Sequence, residues 1–253
     1  MKLKIYNTSE TAGAAAAKQA AEVLNAKIDR NGSARIVLST GMSQISFFDA
    51  IVRENVDWSR VEMFHLDEYV GVGREHKASF VRYLQEKFVG KGKLKAAYFV
   101  DGTGDVQRTV RALEDEVKKN PLDLGMIGIG ENTHIAFNDP PADFDSDCAY
   151  KVVTLSDSCK RQQVNEGWFA DMNSVCKQAI TMTCRQILKC ESIICLVPYK
   201  CKAEAVKRTL ESDVTNTVPA TLLKTHKDCT LYCDADSSSR LSDGLRKKYL
   251  SAT

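Results

Sequence analysis

Gly128-Ile-Gly-Glu-Asn-Thr-His-Ile-Ala-Phe-Asn-Asp-Pro-Pro141 closes the apolar run Leu122 to Ile129 and crowds Asn132, His134, Asn138 and Asp139 into a few residues. Such a pattern reads as a buried strand that ends in glycines and empties into a polar loop. At the carboxyl edge of a parallel sheet, loops of this kind are where open α/β folds hold their ligands. The same residues also suit an ordinary turn with His134 as a hydrogen-bonded packing group. The stretch by itself leaves both readings open.

Outward from it, strand and helix patterns alternate. Lys2 to Tyr6 alternates as a strand, and Thr8 to Ile28 is an alanine-rich helix with Thr8 or Ser9 available as its cap. Arg35 to Ser39 is a β-branched run, and Thr40-Gly41-Met42-Ser43 makes a tight polar turn before the helical spacing of Ile45 to Val52. Backbone N–H groups at that helix start, with the hydroxyls of Thr40 and Ser43, suit a phosphate or carboxylate; an ordinary βα turn looks the same. Val61 to Leu66 is a strand ending in Asp67-Glu68-Tyr69. Adjacent acids are usually a solvated turn, but directly after an apolar strand they reach a crevice where desolvation lifts a carboxyl toward a working base. Gly71 and Gly73 allow a loop, Ser79 to Phe88 is an amphipathic helix, and Ala96 to Val100 is a strand. Val106, Val110, Leu113 and Val117 mark the core face of a helix that Pro121 ends.

Beyond the opening stretch, Ala149 to Leu155 and Ala179 to Thr183 read as strands on either side of a polar helix, Ser158 to Phe169, which bears Lys160 and Arg161. Ser192 to Val197 is a strongly apolar strand; after Pro198, Tyr199-Lys200-Cys201-Lys202-Ala203 opens a helix running to about Glu211. Lysines at a helix start oppose its dipole. A bound anion would account for them, and so would a solvated stem. Pro219 to Leu223 leads to His226, Cys229 to Cys233 is a last strand, and Ser237 to Leu250 a last helix.

The alternation predicts one α/β domain over residues 1–253, with a doubly wound, mostly parallel, Rossmann-like sheet flanked by helices. Four strand ends would gather on one edge: Thr40 to Ser43, Asp67 with Glu68, Asn132 to Asp139, and Lys200 to Lys202. That convergence favours a ligand cleft, and with it an enzyme, over scattered turns.

Bulk properties narrow the classes. With 35 Lys plus Arg against 33 Asp plus Glu, the net charge of +2 supplies no field to attract nucleic acid or a membrane surface. An anionic ligand must be bound locally. Nine cysteines, at 148, 159, 176, 184, 190, 195, 201, 229 and 233, form no C-x-x-C pair. With no secretory segment at the start and no run long enough to span a bilayer, reduced thiols in a cytoplasmic protein are expected, and the dispersed histidines lack the spacing of a metal site.

Phe64-His-Leu-Asp-Glu-Tyr-Val-Gly71, taken with Gly128-Ile-Gly130 and His134-Ile-Ala-Phe-Asn138, closely resembles the glucosamine-6-phosphate deaminase (isomerase) family, and the resemblance covers nearly the whole chain. Leu38-Ser-Thr-Gly41 is similar to that family's phosphate-binding turn, Lys202-Ala203 falls where it has a phosphate-binding lysine, and Val218-Pro219-Ala220 resembles a stretch near its end. The resemblance implies conversion of glucosamine 6-phosphate and water to fructose 6-phosphate and ammonium, among the hydrolases, with no redox cofactor and no essential metal. It implies Asp67 as general base and His134 in ring opening, with Asn132 and Asp139 beside the histidine. It also implies substrate contacts from Thr40, Gly41, Met42, Ser43, Glu68, Gly130 and Lys202.

Three departures stand out. Asn132-Thr-His-Ile-Ala-Phe-Asn-Asp139 replaces the usual Asp-Gly-His-Ile-Ala-Phe-Asn-Glu. An amide orients a ligand but cannot take a proton, and Thr133 restricts a backbone position where glycine is free. The family's phosphate-binding arginine has only loose counterparts in Lys160, Arg161 and Arg185. The open alternatives are another amino sugar phosphate, a 6-phosphogluconolactonase-like hydrolase, and a non-catalytic sugar-phosphate sensor. The expected partner is a small sugar phosphate, with a homo-oligomer left open and no match found for an allosteric site.

Overall fold

A computed structural model describes residues 1–250. Its centre is a seven-stranded sheet of β1 (Lys2–Tyr6), β2 (Ala34–Leu38), β3 (Val61–His65), β5 (Ala96–Tyr98), β6 (Leu124–Ile127), β9 (Ser192–Leu196) and β10 (Cys229–Asp234). The spatial order is β1-β10-β9-β6-β2-β3-β5, and every neighbouring pair is parallel. Strands β2, β6 and β9 are almost wholly buried, as expected where helices cover both faces.

The helices are α1 (Ser9–Asn31), α2 (Ile45–Ile51), α3 (Phe80–Lys87), α4 (Val106–Lys118), α5 (Asp157–Asn165), α6 (Cys184–Ile187), α7 (Ala203–Glu211) and α8 (Asp243–Leu250). Thr8 caps α1 in a reciprocal box with Thr11, and Gly32 ends it at φ +77°. The buried alanines of α1 let it lie directly on α2; a Cβ at Gly13 would overlap Ser46.

The order of the sheet reverses between β2 and β6. From β2 the chain builds outward through β3 and β5, and from β6 the other way through β9 and β10, with β1, the first strand of the chain, at the far edge. The loops after β2 and β6 diverge above this switch point, which is where parallel α/β sheets open a crevice. Leu66 N–H on the Leu38 carbonyl (3.2 Å) and Ser39 N–H on the Met126 carbonyl (2.9 Å) hold three of the strand ends side by side.

Two of the expected strands lie outside this sheet. β7 (Tyr150–Thr154) and β8 (Gln178–Met182) pair antiparallel, and β8 pairs antiparallel with β4 (Asp67–Tyr69), the segment expected to be only a strand end. β7 is half-buried along most of its length, unlike a strand covered on both faces. The last helix is also shorter than expected, because Asp234 and Ser237 bond each other's backbone N–H groups (2.7 and 3.1 Å) and hold a turn there. All nine cysteines are free thiols.

Candidate active site

Four strand ends meet in one cleft, which encloses about 610 Å³ including the open solvent at its mouth. The loop after β2 contributes Ser39 to Gln44, β4 contributes Asp67, the loop after β6 contributes Gly128 to Gly130 and His134, and the turn after β9 contributes Lys202. Of the expected site residues, Thr40, Gly41, Met42, Ser43, Asp67, Gly130, His134 and Lys202 are brought together here.

Asp67 is buried, and its carboxylate makes no hydrogen bond or ion pair among the described residues. Burial, reinforced by the neighbouring Glu68 charge, pushes its carboxyl up to about 8. Glu68, expected to contact the substrate, is absent from the cleft lining. It faces away from the cleft, because successive strand residues point to opposite sides. Its carboxylate instead accepts from Tyr69 N–H, Val81 N–H and the Ser79 hydroxyl, each at 2.9 Å, and so fastens the start of α3. Burial pushes its carboxyl up to about 7 against these bonds.

His134 stands on Gly130, where a side chain would fall inside the imidazole ring. Behind it, outside the cleft lining, are Asn132 and Asp139. The Asn132 Oδ1 lies 2.6 Å from His134 Nδ1 and accepts the His134 backbone N–H at 3.1 Å, while Nδ2 donates to Asp139 Oδ1 and Ser158 Oγ, both at 2.9 Å. His134 Nδ1 is also 3.2 Å from Asp139 Oδ1. An acceptor on Nδ1 from both partners assigns the neutral ring's proton to Nδ1 and leaves Nε2 as the free acceptor.

Burial opposes the charged form of Asp139. The hydrogen bond and charge of His134, with bonds from Ser156 and Asn132, outweigh it and hold the carboxyl well below the usual carboxylate range. Ser156 Oγ donates to Asp139 at 2.6 Å while capping α5, so the helix start and the histidine's support are one construction. Replacing Asn132 with Leu is expected to lower kcat about 100-fold, the lower end of what a positioned proton-transfer group contributes. An unchanged kcat in steady-state assays would remove Asn132 from this support.

Strain gathers at the same loops. The described non-glycine residues with positive φ are Thr133 (+76°), Ala136 (+50°) and Tyr199 (+82°), in the loops after β6 and β9. Thr133 is β-branched, fully buried, and its hydroxyl has no partner. Thr133→Gly should therefore stabilise the protein by about 1 kcal/mol, strain relief of about 1–3 kcal/mol outweighing the lost methyl packing. Denaturant unfolding checks this, and a destabilised variant would contradict it.

Lys202 is 4% exposed and pairs with no acid among the described residues. The arginine substitutes do not reach the cleft: Arg161 is exposed, Lys160 lies 3.9 Å from Asp157, and Arg185 pairs with Asp147. The wall from α5 and its end is instead Gln162, Gln163 and Glu166. These went unnoticed in the sequence, although their spacing places Gln162 and Glu166 one turn apart on a helix face that Lys160 and Arg161 do not share. Gln44, also unnoticed, donates to the Leu196 carbonyl at 3.2 Å, and its Oε1 is buried without a partner.

Fold and cleft together define a parallel α/β protein with a ligand site at its topological switch point. The chain belongs to the family described as glucosamine-6-phosphate isomerases/6-phosphogluconolactonase, whose pattern it matches over residues 7–232. It is 35% identical to a glucosamine-6-phosphate deaminase of Streptococcus pneumoniae (strain 70585) over 225 residues, 88% of this chain and 94% of the relative. A glucosamine-6-phosphate deaminase of Oenococcus oeni is 32% identical over 243 residues, 96% and 99% of the two chains. Among solved structures, one described as a monomeric glucosamine-6-phosphate deaminase superposes with a TM-score of 0.85 at 29% identity, covering 94% of this chain and 99% of its own. A putative 6-phosphogluconolactonase from Neisseria gonorrhoeae shares the fold at a TM-score of 0.72 and 19% identity, with coverage of 92% and 99%.

Proposed function

We propose that this protein is a glucosamine-6-phosphate deaminase, converting glucosamine 6-phosphate and water to fructose 6-phosphate and ammonium. The observation that carries the reading is Asp67, a buried carboxylate without a bond of its own, facing the same cleft as His134 and an unpaired Lys202. Lys202 and the loop Thr40 to Ser43 receive the phosphate, whose binding energy positions the reacting carbons. His134, with Nε2 free, moves the proton between the C1 hydroxyl and the ring oxygen as the ring opens. Asp67 then takes the proton from C2 and returns it to C1 while a proton passes from the C2 nitrogen to O1, and water adds to the resulting C2 imine, forming the C2 ketone and expelling the nitrogen as ammonium. Asp67 must be ionised to act as base, so kcat/KM should climb with pH toward about 8.

The relatives named glucosamine-6-phosphate deaminase support this reading. The test is release of ammonium and formation of fructose 6-phosphate by the purified protein. No turnover at saturating substrate would sink it, and hydrolysis of 6-phosphogluconolactone in a parallel assay would replace it with the lactonase reading.

A further inference from the structure

Two charges in the cleft each oppose the helix end on which they sit. Lys202, at the N-cap of α7, places a cation at the positive end of a helix dipole; Glu166, at the C-cap of α5, places an anion at a negative end. They form no ion pair with each other within 4 Å, although both line the cleft. Glu166 is half-buried and held in place by neutral donors, Gln162 Nε2 on one oxygen at 2.7 Å and Trp168 Nε1 on the other at 3.0 Å. Gln162 Oε1 in turn accepts Glu131 N–H at 3.2 Å, which ties this carboxylate to the loop carrying His134. The carboxylate is thus fixed in the cleft with no cation to neutralise it.

We propose that Glu166 is a specificity-determining residue that sets the cleft for sugar phosphates carrying an ammonium group, and against those carrying a further acid. The proposal rests on the sugar-phosphate reading above and refines it. Among the described residues Lys202 is the single lysine or arginine in the lining, set against the carboxylate of Glu166. A phosphate dianion brings more negative charge than one lysine offsets, and Glu166 adds repulsion. A ligand whose own ammonium cancels part of that charge escapes most of the penalty, and an added carboxylate increases it.

The test measures dissociation constants of glucosamine 6-phosphate, fructose 6-phosphate and 6-phosphogluconate by calorimetry for Glu166, Glu166→Gln and Glu166→Asp, each in an Asp67→Asn background so that glucosamine 6-phosphate is bound without turnover, with thermal unfolding alongside. In Glu166→Gln, binding should tighten less than about twofold for glucosamine 6-phosphate, about fivefold for fructose 6-phosphate and about tenfold or more for 6-phosphogluconate. Glu166→Asp keeps the charge and should keep the wild-type order. Equal changes for all three ligands, no change, or weaker binding with a lowered Tm would overturn the proposal in favour of a packing role. Wild type that binds all three without releasing ammonium would sink the deaminase reading and leave the charge order standing. Ammonium release by wild type with unaltered affinities in Glu166→Gln would sink this proposal alone.

Discussion

Asp67→Asn is expected to lose about 10³-fold or more of kcat and, in the same variant, to resist unfolding better than wild type at alkaline pH. The activity loss follows from removing the carboxylate proposed as the base, within the range seen for general acid–base groups. The stability gain follows from linkage. Folding raises the Asp67 carboxyl from 3.8 to about 8, mainly through burial, so between those values the folded protein holds a proton that the unfolded chain has released. The stability derived from holding it is full below the unfolded value and is lost as pH rises through about 8. Asparagine has the same shape and no charge to bury, so the Tm difference between variant and wild type should widen from about pH 6 to about pH 9, reaching at least about 2 °C. A variant less stable than wild type at the alkaline end would mean that Asp67 has a stabilising partner. Retained ammonium release would remove it as the base.

Gly130→Ala is expected to reduce kcat about 100-fold or more with little change in fold. The added methyl would occupy the space of the His134 ring, which must swing away from Asn132 and Asp139 to admit it. Misplacement of a catalytic group by about 1 Å is enough for a loss of this size. A companion variant, Gly73→Ala, meets nothing within 4 Å and should retain full activity. Equal losses in both variants, or none in Gly130→Ala, would show that the ring's seat on Gly130 is unimportant.

Much of this site was legible along the chain because it sits where apolar runs stop. Strands β2, β3, β6 and β9 each announce themselves by composition, and polar residues following them must emerge on the same edge if the strands are parallel. Thr40 to Ser43, Asp67, His134 and Lys202 follow from that rule. Glu68 did not: its neighbour on the strand has the same chemistry, and only the pleat decides that one carboxylate enters the cleft while the other fastens α3. The α5 wall was misjudged for a related reason. Its cations drew notice by their charge, but about 100° of rotation per residue turns Gln162, Gln163 and Glu166 inward instead.

The sequence by itself determined the strands of the central sheet, the cap of α1, and the edge on which chemistry collects, because these depend on local patterns of apolar and hydrogen-bonding groups. It also displayed the exchange of a glycine for Thr133. The tertiary structure alone decided that β4, β7 and β8 form a separate antiparallel sheet, that Glu68 turns away to fasten α3, and that Glu166 rather than a cation completes the cleft. Those outcomes depend on which face of each element is turned inward and on residues far apart in the chain being desolvated together. No local pattern encodes either.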